Sequence, residues 1–177
     1  MPRLNKKHVI LLILVLNSIV LYAGDPGYMP LAKEDFAFKK SGSSLFLNQN
    51  IEEVIGFLGD GYSEEIIKSK SNEKWDFIIL NYENIQVSYT RGWKSVDRII
   101  ISDDSSFETA RGIKIGSTIE DVRKLYKDIL FSNYDNKLIV FYEWFDDMGI
   151  ISTNYYISFT YSDDSVVERI EIGTAVD

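Results

Sequence analysis

Apolar positions along this chain change period twice, in the same order each time. Ile51, Val54, Ile55 and Leu58 share one helical stripe, and alternating, strand-like stretches follow them. Ile119, Val122, Tyr126 and Ile129 repeat the stripe, and alternation again follows, most plainly at Ile157-Ser158-Phe159-Thr160-Tyr161. Asn50 with Glu53, and Ser117 with Glu120, have the spacing of capping boxes at the two helix starts, while Gly59 and Gly61 mark the end of the first helix. Strands are predicted at 65–69, 74–82, 85–90 and 96–102 after the first helix, and at 137–145, 150–161 and 166–172 after the second. Glu83-Asn84, Arg91-Gly92-Trp93-Lys94, Asp146-Asp147-Met148-Gly149 and Ser162-Asp163-Asp164-Ser165 serve as the hairpin links.

The repetition extends to the residues themselves. Asn50-Ile51-Glu52-Glu53-Val54 is echoed by Thr118-Ile119-Glu120-Asp121-Val122, Val87-Ser88-Tyr89-Thr90 by Ile157-Ser158-Phe159-Thr160, and Val96-Asp97-Arg98-Ile99 by Val167-Glu168-Arg169-Ile170, with an offset that drifts from 68 to 71 residues. Small loop insertions account for the drift. The expected fold is α+β: two tandem repeats, 45–106 and 107–177, each a helical segment packed on a three- to four-stranded antiparallel sheet. Residues 24–44, with Pro26, Pro30, three glycines and Lys39-Lys40-Ser41-Gly42-Ser43-Ser44, read as a linker.

The first residues carry a different message. Arg3, Lys6 and Lys7 precede an apolar run from Val9 to Leu16 and a weaker one from Ile19 to Ala23, the layout of a secretion signal cleaved after Ala23. Asn17-Ser18 interrupts the run, which falls short of the roughly 20 residues that span a bilayer. An exported protein is expected, periplasmic, cell-surface or secreted, with no stable membrane span after cleavage; an uncleaved anchor is the alternative. Residues 24–177 then hold 16 basic against 27 acidic residues, a formal charge of -11. That balance argues against nucleic acid and anionic surfaces as partners.

Chemistry is narrowed mainly by what is missing. There is no cysteine, and the single histidine, His8, lies in the signal segment. Ser-His-Asp and Cys-His nucleophile pairs, histidine general bases and the usual zinc sites are therefore excluded from residues 24–177. Carboxylate pairs at Glu52-Glu53, Glu64-Glu65, Asp103-Asp104, Asp146-Asp147 and Asp163-Asp164 fit helix starts and turns better than a hydrolase. No Asp-x-Asp-x-Asp-Gly calcium loop occurs, Gly56–Gly61 ends a helix instead of opening one, and Ser69-Lys70 lacks a strained turn. No catalytic residue, metal site or cofactor is assigned.

Gly112-Ile113-Lys114-Ile115-Gly116-Ser117-Thr118-Ile119-Glu120-Asp121-Val122, followed by strands ending in Val167-Glu168-Arg169-Ile170, resembles the repeat of beta-lactamase-inhibitory-protein-like domains. It is also similar to the small outer-membrane lipoprotein domain of the SmpA/OmlA type. The resemblance covers both halves and implies a helix on a short antiparallel sheet in an exported, non-catalytic protein. It departs from both types in having no cysteine, neither for a lipid anchor nor for disulfides, so no functional residue is carried over.

Aromatic residues supply the candidate contacts: eleven Tyr, ten Phe and three Trp make 14% of the chain. Trp93 stands in a hairpin tip between Arg91 and Lys94, and Trp and Arg dominate binding hot spots. Trp75 and Trp144 fall within predicted strands and are assigned to the core. Tyr82, Tyr89, Tyr142, Tyr155 and Tyr161 are candidates for an open sheet face, with Tyr89 and Tyr161 the two taken, beside Trp93, Arg91 and Lys94, as binding residues. The function this implies is an exported, non-catalytic binding protein, inhibitor-like or envelope-associated, that meets another protein through the sheet face and loop tips. A carbohydrate-binding module is the alternative, and a carboxylate hydrolase the third reading.

Overall fold

The computed structural model describes residues 32–103, 106–126, 131–134, 136–145 and 151–175, with side chains throughout except at 33, 131–134, 143–145, 151–154 and 175. The signal segment, Asp104, Ile129, Asp146 and Asp147 lie outside the described residues, as does the Trp144 side chain.

After a 3-10 turn at Lys33–Asp35 come strands β1 (Ala37–Lys40) and β2 (Ser43–Phe46), then helix α1 (Ile51–Leu58). Strands β3 (Ser63–Ile67), β4 (Phe77–Asn81), β5 (Ile85–Thr90) and β6 (Val96–Ser102) follow, with a 3-10 turn at Glu73–Trp75 before β4. The second half runs β7 (Glu108–Thr109), α2 (Ile119–Leu125), β8 (Phe131–Tyr134), β9 (Lys137–Phe145), β10 (Ile151–Tyr161) and β11 (Val167–Ala175). Mixed α+β architecture with antiparallel sheets is thus as expected.

The two sets of four strands join into one sheet of order β3-β4-β5-β6-β11-β10-β9-β8. The last strands of the halves meet antiparallel at its centre, Ile101 opposite Ile170 and Ile99 opposite Ile172. A second sheet, β2-β1-β7, comes largely from the stretch read as a linker. That reading is corrected for residues 32–44: Phe36 and Phe38 are buried, and Leu45 just beyond them joins the same core. The polar Lys-Ser-Gly string that suggested a linker is a hairpin turn, with Ser41 and Gly42 both at positive φ.

Period-2 alternation decides which side of the sheet is buried. Ile78, Leu80, Val87, Ile99, Ile101, Ile170, Ile172, Ile157, Phe159, Leu138 and Val140 form one face and share a single core with Ile51 and Val54 of α1 and Ile119 and Val122 of α2. Burying each such side chain contributes about 1.5–3 kcal/mol, so the helices are held by this layer more than by their own short length. Arg111 fastens α2 from behind: Nε and Nη2 donate to the two Asp35 carboxylate oxygens at 3.0 and 2.9 Å, and Nη1 donates to the Leu125 carbonyl at 3.0 Å.

The helix starts differ slightly from expectation. Asn50 caps α1, its side chain accepting from the Glu52 N–H at 2.9 Å. The capping box of α2 is Thr118 with Asp121, one residue later than Ser117 with Glu120. Ser117 instead accepts from the Lys114 N–H and shapes the preceding turn. Gly59 does end α1, at φ 89°.

Each helix start is tied to the hairpin closing its half by the same backbone pattern. In the first half Ile51 N–H donates to Lys94 O at 2.8 Å, Val96 N–H to Gln49 O at 2.9 Å, and Asn48 N–H to Val96 O at 2.7 Å. In the second, Ile119 donates to Ser165 at 3.0 Å, Val167 to Ser117 at 2.9 Å, and Gly116 to Val167 at 2.9 Å. Asn48 and Lys94 have positive φ, as do Gly116 and Ser165. Both hairpins also carry a bulge, at Ser88/Tyr89 and at Thr160/Tyr161. The bulges match Tyr89 with Tyr161, two residues away from the alignment by sequence; a slip of two leaves every side chain on its original face.

Candidate functional site

Trp93 is the expected residue whose surroundings say most. It is 66% exposed at the tip of the β5–β6 hairpin, and its ring meets that of Trp75, itself 51% exposed, edge to face at 5.5 Å between centroids. Trp75 was assigned to a strand interior; the structure corrects this. Asn72 caps the Glu73–Trp75 turn, accepting from the Lys74 N–H at 2.9 Å, so the strand begins only at Phe77 and Trp75 is left outside it. The asparagine in Ser71-Asn72-Glu73 was the available signal, since it competes with the ladder for backbone donors.

The pair is held by interlocked loops. Asp76, buried, accepts from the Ser69 N–H at 2.9 Å through Oδ1 and lies 3.6 Å from the Arg91 guanidinium through Oδ2. The Arg91 N–H donates to Asp76 O at 3.0 Å and the Gly92 N–H to Lys74 O at 2.8 Å. A Cβ on Gly92 would stand 2.9 Å from that same Lys74 oxygen, which is why glycine is needed there. Lys94 reaches the other way, 2.7 Å to Glu52 on α1. That hydrogen bond holds the Glu52 carboxyl below its usual range and the Lys94 ammonium above its own, although both are solvent-exposed.

The tyrosine surface is corrected. Tyr155 is 3% exposed, accepts from Asn48 Nδ2 at 2.7 Å through its hydroxyl oxygen, and stacks on Tyr142. Tyr82, Tyr89, Tyr142 and Tyr161 pack partly buried against the core, on its side of the sheet. Burial raises the Tyr89 hydroxyl pKa and pushes that of Tyr82 up to about 12. Of the five binding residues expected, Trp93, Arg91 and Lys94 are therefore brought together at one corner, while Tyr89 and Tyr161 occupy the matched bulges of two hairpins.

The opposite sheet face carries Ser88, Arg98, Gly173, Tyr156 and Phe141 in one cross-strand row. Tyr156 donates to Glu171 at 2.6 Å and lies over Gly173, where a Cβ would come within 2.7 Å of its hydroxyl. Burial first, and then the Glu171 carboxylate, raise the Tyr156 pKa. Asp97 stands in the β6 bulge with a buried Oδ1 that has no hydrogen-bond partner; desolvation pushes its carboxyl up to about 6, against the pull of Arg98 and Ser88. A separate cleft of about 480 Å³, lined by Phe36, Ala37, Phe46, Leu47 and Tyr155 with Glu34 and Lys39 among its polar residues, opens beside β1 and β2. Sequence reasoning missed the cleft because it treated 24–44 as linker.

Among the described residues no cluster of three or more acidic or histidine side chains is arranged to hold a metal ion, and no helix is long and apolar enough to cross a membrane. What the Trp75–Trp93 corner offers chemically is contact: two large apolar rings, partly wet, edged by cations. Comparison with protein-family models, with curated proteins and with solved structures returned no match.

Proposed function

We propose that the chain is an exported, non-catalytic binding protein built from two tandem copies of one helix-plus-four-strand unit, and that it grips its partner through the Trp75–Trp93 corner. One observation carries the binding reading: two indoles, each more than half exposed, are held edge to face by a braced pair of loops. Exposed tryptophans restrained in this way give large contact area at low entropy cost on binding. Duplication draws support from the paired backbone bonds at the helix starts, the matched positive φ angles and the matched bulges. The resemblance to beta-lactamase-inhibitory-protein-like and SmpA/OmlA-type domains belongs to the same proposal and brings no site residue with it. Export rests on the basic start and the apolar run ending at Ala23.

The test is capture from envelope extracts by the immobilised protein, compared with a Trp75→Ala/Trp93→Ala variant whose circular dichroism and melting match the parent. Loss of a captured component with the variant supports the corner as the contact surface; identical capture rejects it. A second reading, a carbohydrate-polymer-binding module, is favoured by the same pair of rings, because sugar faces stack on indole. Retardation in gels containing polysaccharide, abolished by the double variant, would select it.

A further inference from the structure

Chain order disperses five basic residues that the fold gathers. Lys68 and Lys70 follow β3, Lys74 is in the turn that presents Trp75, and Arg91 and Lys94 flank Trp93; all five are exposed. Against these five stand three acids, Glu73, Asp76 and Glu52, the last bonded to Lys94 at 2.7 Å, in a chain of formal charge -8. Asp76 is buried and engaged with Arg91. With Arg91 and Lys94 so engaged, exposed Lys68, Lys70 and Lys74 face only Glu73 in the 66–76 stretch, a net-basic patch that the acidic balance of the whole chain conceals. Beside it the edge strand β3 ends in Ile66 and Ile67, 39% and 51% exposed, with Ile67 directly opposite Phe77, two residues after Trp75.

Resting on the binding reading above, we propose that this corner docks the protein peripherally on an anionic phospholipid surface, with Trp75, Trp93 and Ile67 entering the interface and the lysines meeting headgroup phosphates. Three features choose lipid over the other anionic polymers. Aliphatic side chains gain nothing from a sugar ring or an acidic peptide backbone, yet are at home against acyl chains. Indoles favour the level of the headgroups, where one part of the ring is apolar and the N–H stays wet. The acidic remainder of the molecule is repelled by the same surface, so only this corner can approach, and the orientation is set.

The experiment uses Leu31–Asp177, the compact unit that holds every core residue among those described, so that the apolar run before residue 24 makes no contribution. Cosedimentation is measured with vesicles of phosphatidylcholine alone and of equal parts phosphatidylcholine and phosphatidylglycerol. Binding is expected only to the mixed vesicles, with a blue shift of tryptophan emission and weakening as salt is raised. Trp75→Ala/Trp93→Ala should lower the partition coefficient by about tenfold or more, and Lys68→Glu/Lys70→Glu/Lys74→Glu by on the order of fivefold per residue, both with unchanged melting. Equal partitioning of parent and variants, or equal binding to neutral vesicles, overturns the lipid assignment. Failure on vesicles together with Trp-dependent capture of a protein or polysaccharide also overturns it, while leaving the corner as a binding surface.

Discussion

The β5–β6 and β10–β11 hairpins share a backbone and differ in cargo. Both begin at a bulge, both pass through a residue at positive φ, Lys94 in one and Ser165 in the other, and both are tied to a helix start by three equivalent backbone bonds, donating one and accepting two. Yet one tip reads Arg91-Gly92-Trp93-Lys94 and the other Ser162-Asp163-Asp164-Ser165. Both tips close on themselves, Trp93 N–H to Thr90 O at 3.0 Å and Ser165 N–H to Ser162 O at 2.9 Å. The first is also braced by the Lys74 carbonyl and the Asp76 carboxylate and carries an exposed indole, while beyond its junction the second is reached, among the described residues, only by the long Asn136–Asp163 bond. The lesson is a division of labour on a shared backbone geometry: the junction holds the helix to the sheet, and the two tips carry different side chains.

Equivalence of the junctions is tested most severely by Val96 and Val167, both fully buried. Val96→Ala and Val167→Ala should each cost about 2–3 kcal/mol in urea unfolding, and a difference of more than half of that would break the comparison. Next comes the bracing of the first tip by the Lys74 carbonyl, a main-chain contact; the second tip has a long side-chain bond, Asn136 Nδ2 to Asp163 at 3.5 Å. Gly92→Ala forces its new carbon against a main-chain oxygen and should cost about 1–2 kcal/mol, with red-shifted tryptophan emission as the rings separate, while Asp163→Ala should stay within about 0.5 kcal/mol.

The acids in the two bulges sharpen the contrast. Asp97 is partly buried with an unpartnered oxygen, whereas its counterpart Glu168 is exposed. A carboxyl raised from 3.8 to about 6 binds its proton more tightly in the folded chain, so its stabilising contribution is complete below pH 3.8 and disappears as pH rises through 6. After allowance for the part of the group still facing water, Asp97→Asn should stabilise the protein by about 1 kcal/mol at pH 7. The gain should vanish by about pH 4. Glu168→Gln should show no such pH-dependent difference. Smallest of all, Lys94→Gly and Ser165→Gly should each change stability by less than about 0.5 kcal/mol, because relief of the left-handed backbone offsets the added freedom of the unfolded chain.

Sequence patterning gave α1 as observed at 51–58, and strands 85–90, 96–102 and 137–145 with their observed limits. These segments pair strong periodicity with clear turn residues, and local signals suffice for them. β7 is two residues long and exists only because β1 lies beside it, so nothing local could mark it. β1 and the start of β2 were concealed by a turn rich in Ser, Gly and Lys, although Phe36 and Phe38 precede it; the end of β2 was legible, since Leu45-Phe46-Leu47 reads as extended. The union of two four-stranded sets into a single sheet depends on Ile99 and Ile101 meeting Ile172 and Ile170, a pairing over some seventy residues that no short window contains. At the candidate site, Trp93 with Arg91 and Lys94 was legible because a hairpin tip limits where such residues can go. The tyrosines were not: an odd or even position on a strand names a face only after the core side is known, and Tyr155 and Tyr156 fall on opposite faces.

The β6–β11 seam also governs when the eight-stranded sheet can close. Its C-terminal partner, Val167–Ala175, is the last described strand of the chain, so the middle of the sheet is the last place to gain its neighbour. Until that strand arrives, Val96–Ser102 presents an open row of backbone donors and acceptors flanked by isoleucines, an invitation to mispairing while the chain is being made. Deleting the final strand would therefore expose the centre of the sheet, not trim its margin.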